Sequence, residues 1–203
     1  MLTFKDFGAY RKYYEEQCEN TTPVVLESYE RPRILFAMQQ VGGARVLDAC
    51  CMDGAVTILM AEYRPKSHFV GMDISKKFVD RAKAKLPSLD PRVASRLEFM
   101  HGAVEDDLFR GAFDCVVCSE AIEHALNLPR FLKHLVPYAK SGGKLIFTTP
   151  LGFWDSPEHL REFTKDSLAV EFKKVLAIAD FEIKEVSDNK GNARWLCTVG
   201  RAR

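Results

Sequence analysis

Short apolar runs alternate with helical patterns along most of this 203-residue chain, and this alternation constrains the fold more than any other feature. The apolar runs predict seven strands, at about 45–49, 68–72, 97–100, 114–118, 144–149, 181–186 and 194–199. Helices are predicted among them at about 55–63, 75–86, 129–139 and 165–179. The early runs are apolar throughout, which is typical of parallel strands buried on both faces. We therefore predict an α/β, doubly wound sheet.

The two ends of the chain complete the predicted domain. Two helical patterns, at about 4–17 and 24–41, precede the first strand. An Asn-Lys-Gly turn at 189–191 joins the last two strands and predicts a C-terminal antiparallel hairpin at one edge of the sheet. The length is that of about one domain. We expect a single domain over 1–203, with an N-terminal helical cap at 1–41 and a seven-stranded, mostly parallel Rossmann-like core at 42–203.

The charges nearly cancel, since the chain has 29 Lys and Arg residues and 28 Asp and Glu residues. A net charge of +1 excludes a strongly basic protein held to nucleic acid by its overall charge, and it excludes an acidic disordered chain. No apolar run reaches the length of about 20 residues that spans a bilayer. The first residues show no signal-peptide pattern, so none is expected.

The cysteines indicate free thiols. They stand at positions 18, 50, 51, 115, 118 and 197. Cys50 and Cys51 are adjacent and could form only a strained disulfide. Cys115 and Cys118 have the spacing of a metal-binding pair, but on a strand they would point to opposite faces, so no shared zinc is expected. Buried free thiols are typical of a reducing compartment, and we expect a cytoplasmic protein.

Turns with acidic residues follow the first two predicted strands. The first strand leads into Asp48–Gly54, and the second is followed by Asp73, 19 residues after Gly54. An acid at that distance can bind both hydroxyls of a ribose at the carboxyl end of a parallel sheet. The dinucleotide fingerprint is absent, because Cys50 and Met52 occupy its glycine positions, and there is no P-loop.

Five segments, in this order along the chain, resemble motifs of the class I S-adenosylmethionine-dependent methyltransferases. They are Val46–Gly54, Gly71–Ser75, Phe99–Asp106, Phe113–Cys118 with Glu120–His124 behind it, and Ser141–Leu145. The resemblance extends from about residue 28 to the end of the chain. It implies a Rossmann-like methyltransferase fold and S-adenosylmethionine as the cofactor.

The resemblance also implies roles for the residues at matching positions. Arg33 matches an arginine that some relatives place against the cofactor carboxylate, a contact that suits a guanidinium, although Arg33 could also be a solvated helix residue. The other implied cofactor-binding residues are Asp48, Cys50, Gly54, Asp73, Ile74, Val104, Glu105 and Glu120. Cys50 and Met52 replace favoured glycines and Ala103 replaces a common aspartate, which leaves open a non-catalytic protein that only binds the cofactor.

A candidate reaction centre follows the fourth strand. Glu120, Glu123 and His124 have the i, i+3, i+4 spacing of one face of a helical turn. Together with His159, they could hold Mg, Mn or Zn. A cation would lower the pKa of an acceptor hydroxyl and orient it. Without a metal, His124 could act alone as the general base, or these residues could be structural.

The Glu-x-x-Glu-His pattern with a downstream histidine resembles the ubiquinone-biosynthesis and sugar O-methyltransferases, and also the small-RNA 2′-O-methyltransferases. We expect methylation of a hydroxyl group on a small molecule or glycan, with RNA as the alternative acceptor. The near-zero net charge favours the small molecule over nucleic acid. The residues indicate no oligomeric state.

Two aromatic segments each allow two interpretations. Phe4, Phe7, Tyr10 and Tyr14 recur at helical spacing and predict either a lid over the substrate pocket or a helix that packs its apolar stripe on the body. The segment 151–157, which contains a Phe and a Trp, could contact a flat acceptor or pack as a loop.

Overall fold

The fold is known from a computed structural model, which describes residues 2–17, 30–175, 177–188 and 190–203. The helices are α1 (Phe7–Gln17), α2 (Arg31–Gln40), α3 (Ala55–Tyr63), α4 (Lys76–Lys85), α5 (Pro91–Ala94), α6 (Leu128–Leu135) and α7 (Lys165–Lys174). The strands are β1 (Arg45–Ala49), β2 (His68–Asp73), β3 (Leu97–His101), β4 (Phe113–Ser119), β5 (Ala139–Pro150), β6 (Ile178–Ser187) and β7 (Arg194–Ala202).

The seven strands form one sheet in the order β3-β2-β1-β4-β5-β7-β6. The first five strands pair in parallel, and β7 pairs antiparallel with both β5 and β6. The predicted α/β, mostly parallel sheet with its C-terminal hairpin is therefore confirmed. The strand order reverses at β1, so the loops that follow β1, β2 and β4 meet at the carboxyl edge of the sheet.

Two apolar layers cover the faces of the sheet. Residues of α2, α3 and α4 pack with Val46 and Cys115 on one face, and residues of α6 and α7 pack with Leu47 and Cys118 on the other. Cys115 and Cys118 thus lie on opposite faces, as predicted, and no metal ion can bind both. Cys50, Cys51, Cys115, Cys118 and Cys197 are free thiols, while Cys18 lies outside the described residues.

Local sequence signals explain the helix boundaries. Ser75 caps α4 by accepting a hydrogen bond from the Phe78 amide, as its predicted N-cap role requires. The helix predicted to reach residue 139 is wrong at its end, because α6 stops at Leu135. Pro137 lacks the amide hydrogen that would continue the helix, and Ala139 already pairs with β4.

The predicted ends of three other helices also differ from the structure. The helix predicted over 165–179 ends at Lys174, and the chain enters β6 at Ile178. The first helix begins at Phe7, after Asp6 accepts a hydrogen bond from the Ala9 amide. Of the helix predicted at 24–41, the part at 31–40 is helical, and 24–29 lie outside the described residues. Among the described helices, none combines the length and the apolar character needed to cross a bilayer.

The packing of Phe99 provides a test of this fold. A Cβ atom at Gly71 would lie 2.5 Å from the Phe99 ring, so we expect Gly71→Ala to lower the free energy of unfolding by about 1–3 kcal/mol. Gly42→Ala is the matched control, because nothing lies within 4 Å of its Cβ position. Urea denaturation measures both. Equal stability of the two variants would contradict the packing described here.

Candidate active site

The loop after β1 keeps a glycine-like backbone without the expected glycines. Cys50 and Met52 have φ angles of 62° and 49°, and Gly54 follows with 74°. The left-handed region disfavours residues with a side chain by about 1–2 kcal/mol. A Cβ atom at Gly54 would lie 2.6 Å from the Phe99 ring, so only glycine fits there. The loop conformation is therefore retained although Cys50 and Met52 make it less favourable.

Two buried carboxylates support this loop. Asp48, at the end of β1, accepts a hydrogen bond of 2.6 Å from the Thr57 hydroxyl. Asp73, at the end of β2, accepts from the amides of Met52 (2.8 Å) and Ser75 (2.9 Å). Burial raises the pKa of Asp48 to about 7 and that of Asp73 to about 6. Both predicted cofactor-binding acids thus lie beside the loop.

The segments after β2 and β3 carry the remaining predicted cofactor-binding residues. Ile74 is half-buried, and its carbonyl lies 2.9 Å from Nε2 of His101. Val104 is buried, and its carbonyl accepts a hydrogen bond from Tyr138. Glu105 is half-buried, and burial raises its pKa. These residues lie on the same edge of the sheet as Asp73.

A buried ionic network links α2 to the end of β4. Arg33 is 4% exposed and bonds to Glu30 and, at 3.1 Å, to the Ser119 hydroxyl. Its Nε atom lies 3.8 Å from Oε2 of Glu120. Burial opposes the charge of Arg33, but the carboxylates of Glu120 and Glu30 hold its pKa above the ordinary value. Arg33 is therefore an ion-paired, buried residue and not a solvated one.

Two further partners fix Glu120. Its Oε1 atom accepts a hydrogen bond of 2.9 Å from the Thr148 hydroxyl, and Oε2 accepts one of 3.0 Å from the Trp195 indole. Burial raises the pKa of Glu120 while Arg33 opposes that shift. Thr148 and Trp195 come from β5 and β7, and no local sequence pattern marks them as partners of Glu120.

Three of the four predicted metal ligands come together. Candidate ligand atoms of Glu123, His124 and His159 all lie within 4.8 Å of one another. Glu120 does not join them, so its predicted place in a four-residue metal site is not supported. The expected helical turn is wrong: residues 122–124 form a turn closed by a hydrogen bond from the His124 amide to the Ala121 carbonyl. Glu120 has φ +52°, and its carboxylate is held by Thr148 and Trp195.

In the cluster of Glu123, His124 and His159, both imidazoles are neutral, and one of the two carboxylate oxygens has a hydrogen-bond partner. Oε2 of Glu123 accepts from the Thr149 hydroxyl at 2.9 Å, while Oε1 is buried without a hydrogen-bond partner among the described residues. Burial raises the pKa of Glu123 and lowers those of both histidines, that of His159 to about 4. The two rings lie 4.9 Å apart at their centroids.

Residues of the segment after β5 hold the cluster in place. Nδ1 of His124 lies 3.1 Å from the Glu158 carbonyl. A carbonyl can only accept, so Nδ1 carries the hydrogen and Nε2 keeps its lone pair. Arg161 donates to the carbonyls of Ile122 and Ala125 on either side of Glu123 and His124. No local sequence pattern predicts this role of Arg161.

The two aromatic side chains of the segment 151–157 have different surroundings. Trp154 packs against Trp195 with ring centroids 5.6 Å apart. Of the two interpretations of this segment, packing as a loop therefore applies to Trp154. Phe153 is 74% exposed at the carboxyl edge of the sheet. Phe153 is therefore available for contact with a ligand, and Trp154 is part of the body.

Comparison with known proteins finds methyltransferases similar to this chain. Residues 47–145 match the family model described as a methyltransferase domain. The chain is 36% identical over 107 residues to the mitochondrial ubiquinone biosynthesis O-methyltransferase of Schizosaccharomyces pombe, covering 53% of this chain and 38% of the relative. It is 27% identical over 118 residues to the demethylmenaquinone methyltransferase of Lactococcus lactis, covering 57% and 46%. The chain thus spans less than half the length of these two curated relatives.

Solved structures share the fold across nearly the whole chain. The 1,6-didemethyltoxoflavin-N1-methyltransferase of Burkholderia thailandensis superposes with a TM-score of 0.76 at 18% identity, covering 100% of this chain and 91% of that one. A methyltransferase from Haloferax volcanii, solved with the activator Trm112, superposes with a TM-score of 0.72 at 16% identity, covering 94% and 95%. At these identities the likeness shows the fold alone.

The raised pKa of Asp48 predicts a pH-dependent stability. A carboxyl whose pKa is higher in the folded state costs stability as pH rises from its unfolded value through about 7. We expect Asp48→Asn to be more stable than the natural protein by about 1–3 kcal/mol at alkaline pH, with the difference vanishing in acid. Thermal unfolding across pH measures this.

Asp114→Asn is the control variant, and the expected change in its stability has the opposite sign. Hydrogen bonds from Lys140 and from the Arg45 and Ala44 amides hold the pKa of Asp114 below its ordinary value. Its replacement should therefore lower stability near neutral pH. If Asp48→Asn behaved like Asp114→Asn, the described burial of Asp48 would be wrong.

Proposed function

We propose that this chain, which belongs to the class I S-adenosylmethionine-dependent methyltransferases by its motifs, its family match and its fold, transfers the methyl group of that cofactor to a hydroxyl group of a small molecule. The observation that carries the proposal is the cluster of Glu123, His124 and His159 at the carboxyl edge of the sheet, on the loops that follow β4 and β5. The name of the yeast relative, a ubiquinone biosynthesis O-methyltransferase, supports hydroxyl methylation.

The residues present fit the cofactor. The left-handed backbone of Cys50 and Met52 gives the loop after β1 the conformation that glycine would adopt at these positions. Asp73 would hold ribose hydroxyls, Asp48 supports the loop, Arg33 would bind a carboxylate, and Ile74, Val104 and Glu105 would flank the adenine. Glu120 would lie beneath the reacting methyl group.

The bound cofactor supplies a methyl group already activated by its positively charged sulfur. The chain's own task is then to orient the acceptor and remove its proton. His124 is neutral because burial lowers its pKa, and its Nδ1–H bond to the Glu158 carbonyl leaves Nε2 unprotonated. Nε2 of His124 is thus equipped to accept the hydroxyl proton of the acceptor.

The same cluster could hold a divalent cation. Glu123, His124 and His159 would be its ligands, and the buried, unpartnered Oε1 atom of Glu123 is the observation that favours one. Their ligand atoms are separated by up to 4.8 Å, so the three residues would have to move closer together to bind it. A bound cation would lower the pKa of the acceptor hydroxyl.

Surface charges disfavour RNA as the acceptor. The basic residues of α4 are among the charges that an RNA-binding surface would use, and two of them are paired with carboxylates. Lys76 pairs with Asp80 and Lys85 pairs with Asp53, each at 2.6 Å. RNA binding that is driven by the release of counterions from phosphates requires basic residues that are not already paired with carboxylates. The small-molecule acceptor is therefore the better-supported proposal.

The test measures cofactor binding and methyl transfer separately. We expect S-adenosylhomocysteine to bind by calorimetry, and radiolabelled methyl groups to pass from the donor to a dihydric phenol in an acceptor panel. His124→Ala should reduce transfer at least about 100-fold, since it removes the base, while cofactor binding stays unchanged. His134→Ala is the matched control, because that histidine lies on α6 and pairs with Asp107, apart from the Glu123, His124 and His159 cluster.

The variant His159→Ala and a chelator distinguish the two mechanisms. Loss of activity in both arms, with partial rescue of the variant by excess Mn²⁺, indicates a cation. Full activity in both arms indicates that His124 acts as a base without a metal. Absence of S-adenosylhomocysteine binding would contradict the proposed function.

A further inference from the structure

Helix α1 lies across the carboxyl edge of the sheet and touches three of the loops that form the site. Arg11 forms a 3.3 Å ion pair with Asp106, which follows β3. Glu15 accepts a hydrogen bond of 2.9 Å from the Lys76 amide at the start of α4. Tyr13 donates one of 3.1 Å to the side chain of Glu158, which follows β5. The helix therefore bridges the cofactor loops and the reaction centre.

The inner face of α1 is aromatic. The Tyr14 ring lies edge-on to His124, with centroids 6.1 Å apart, and its hydroxyl is buried without a hydrogen-bond partner among the described residues. The ring of Tyr10 lies beside that of Tyr14, tilted by 56°, with centroids 4.8 Å apart. Burial raises the pKa of Tyr10, and the neighbouring charges that add to this shift include Asp73. The helix thus covers both parts of the site at once.

The polar contacts between α1 and the rest of the protein are weak enough to break and form again. The side chains of Arg11 and Asp106 are each about one-third exposed, and exposed ion pairs contribute little to stability. Elements held by few such contacts open at low free energy. Cofactor and acceptor must pass this helix to reach the site, so its weak attachment would allow them to enter and leave.

Glu158 connects the attachment of α1 to the reaction centre. Its side chain accepts the hydrogen bond from Tyr13, and its backbone carbonyl accepts the one from Nδ1 of His124. The adjacent Pro157 carbonyl accepts a third bond, from the Leu2 amide. One short segment therefore fastens the N-terminal part of the chain and fixes the tautomer of His124.

We propose that α1 is a lid and that Glu158 is the positioning residue that couples its closure to the orientation of His124. With the lid closed, Tyr10 and Tyr14 form one wall of the site, and the Tyr13–Glu158 bond stabilises the segment whose carbonyl holds Nδ1–H of His124. With the lid open, cofactor exchanges and His124 loses its fixed orientation. The part concerning cofactor rests on the proposed function.

The experiment compares variants that break the bond between Tyr13 and Glu158 with variants that keep it. Tyr13→Phe and Glu158→Ala remove the bond, while Glu158→Gln keeps an oxygen acceptor and the backbone carbonyl. Lys12→Ala is the matched control on α1, because Lys12 is exposed and pairs with Glu16 on the same helix. The measurements are amide hydrogen exchange in α1, S-adenosylhomocysteine dissociation by stopped flow, and the NMR signal of the His124 Nδ1 proton.

We expect Tyr13→Phe and Glu158→Ala to speed amide exchange in α1 and S-adenosylhomocysteine dissociation about three- to tenfold, as loss of one hydrogen bond predicts. Both variants should also broaden the Nδ1 proton signal. Glu158→Gln and Lys12→Ala should match the natural protein. Unchanged exchange in α1 would overturn the lid, and an unchanged Nδ1 signal beside faster exchange would overturn the coupling. If S-adenosylhomocysteine binds to no variant and not to the natural protein, the proposed function fails, while amide exchange still decides the lid.

Discussion

The parallel pairing of β1 with both β2 and β4 is the constraint on which the rest of the structure depends. In this register Ala49 lies opposite Met72 on one side and Cys118 on the other, so the three strands end at the same level. The loops that follow them must then leave from one edge, at the point where strand order reverses. Every residue of the candidate site reaches its place through this arrangement, including those that β5 and α1 contribute.

Assembly of the site at one edge concentrates acidic groups where water is excluded. Asp48, Asp73 and Glu123 are nearly fully buried, and burial raises the pKa of each. Apolar residues at these positions would avoid this cost, so stability alone does not account for the arrangement, whereas the proposed binding site does. The left-handed backbone of Cys50 and Met52 belongs to the same pattern, because it strains the loop and preserves its shape.

Local patterns were sufficient to predict most of the fold, because strands and caps depend on neighbouring residues. The N-cap at Ser75, the opposite faces of Cys115 and Cys118, and the acid at Asp73 follow from spacing alone. At Glu120, local spacing predicts the wrong arrangement. Its spacing to Glu123 suggested one helical face, but the left-handed backbone at Glu120 places the two carboxylates with different partners.

The partners of these carboxylates could not be read from the sequence for a related reason. Thr148 and Trp195 lie 28 and 75 positions from Glu120 and reach it only because β5 and β7 pair in the sheet. The aromatic spacing of α1 likewise left two interpretations open, since a lid and a packed helix need the same apolar stripe. Its polar contacts with three separate loops are a property of the folded chain.

The placement of Trp195 has an optical consequence. The chain has two tryptophans, and they lie 5.6 Å apart at their centroids, with the indole of one bonded to Glu120. Indole emission responds to the charge and hydration of its surroundings. The intrinsic fluorescence of this protein therefore originates almost beside the Arg33–Glu120 ion pair, and the molecule carries its own spectroscopic reporter of what occupies that part of the site.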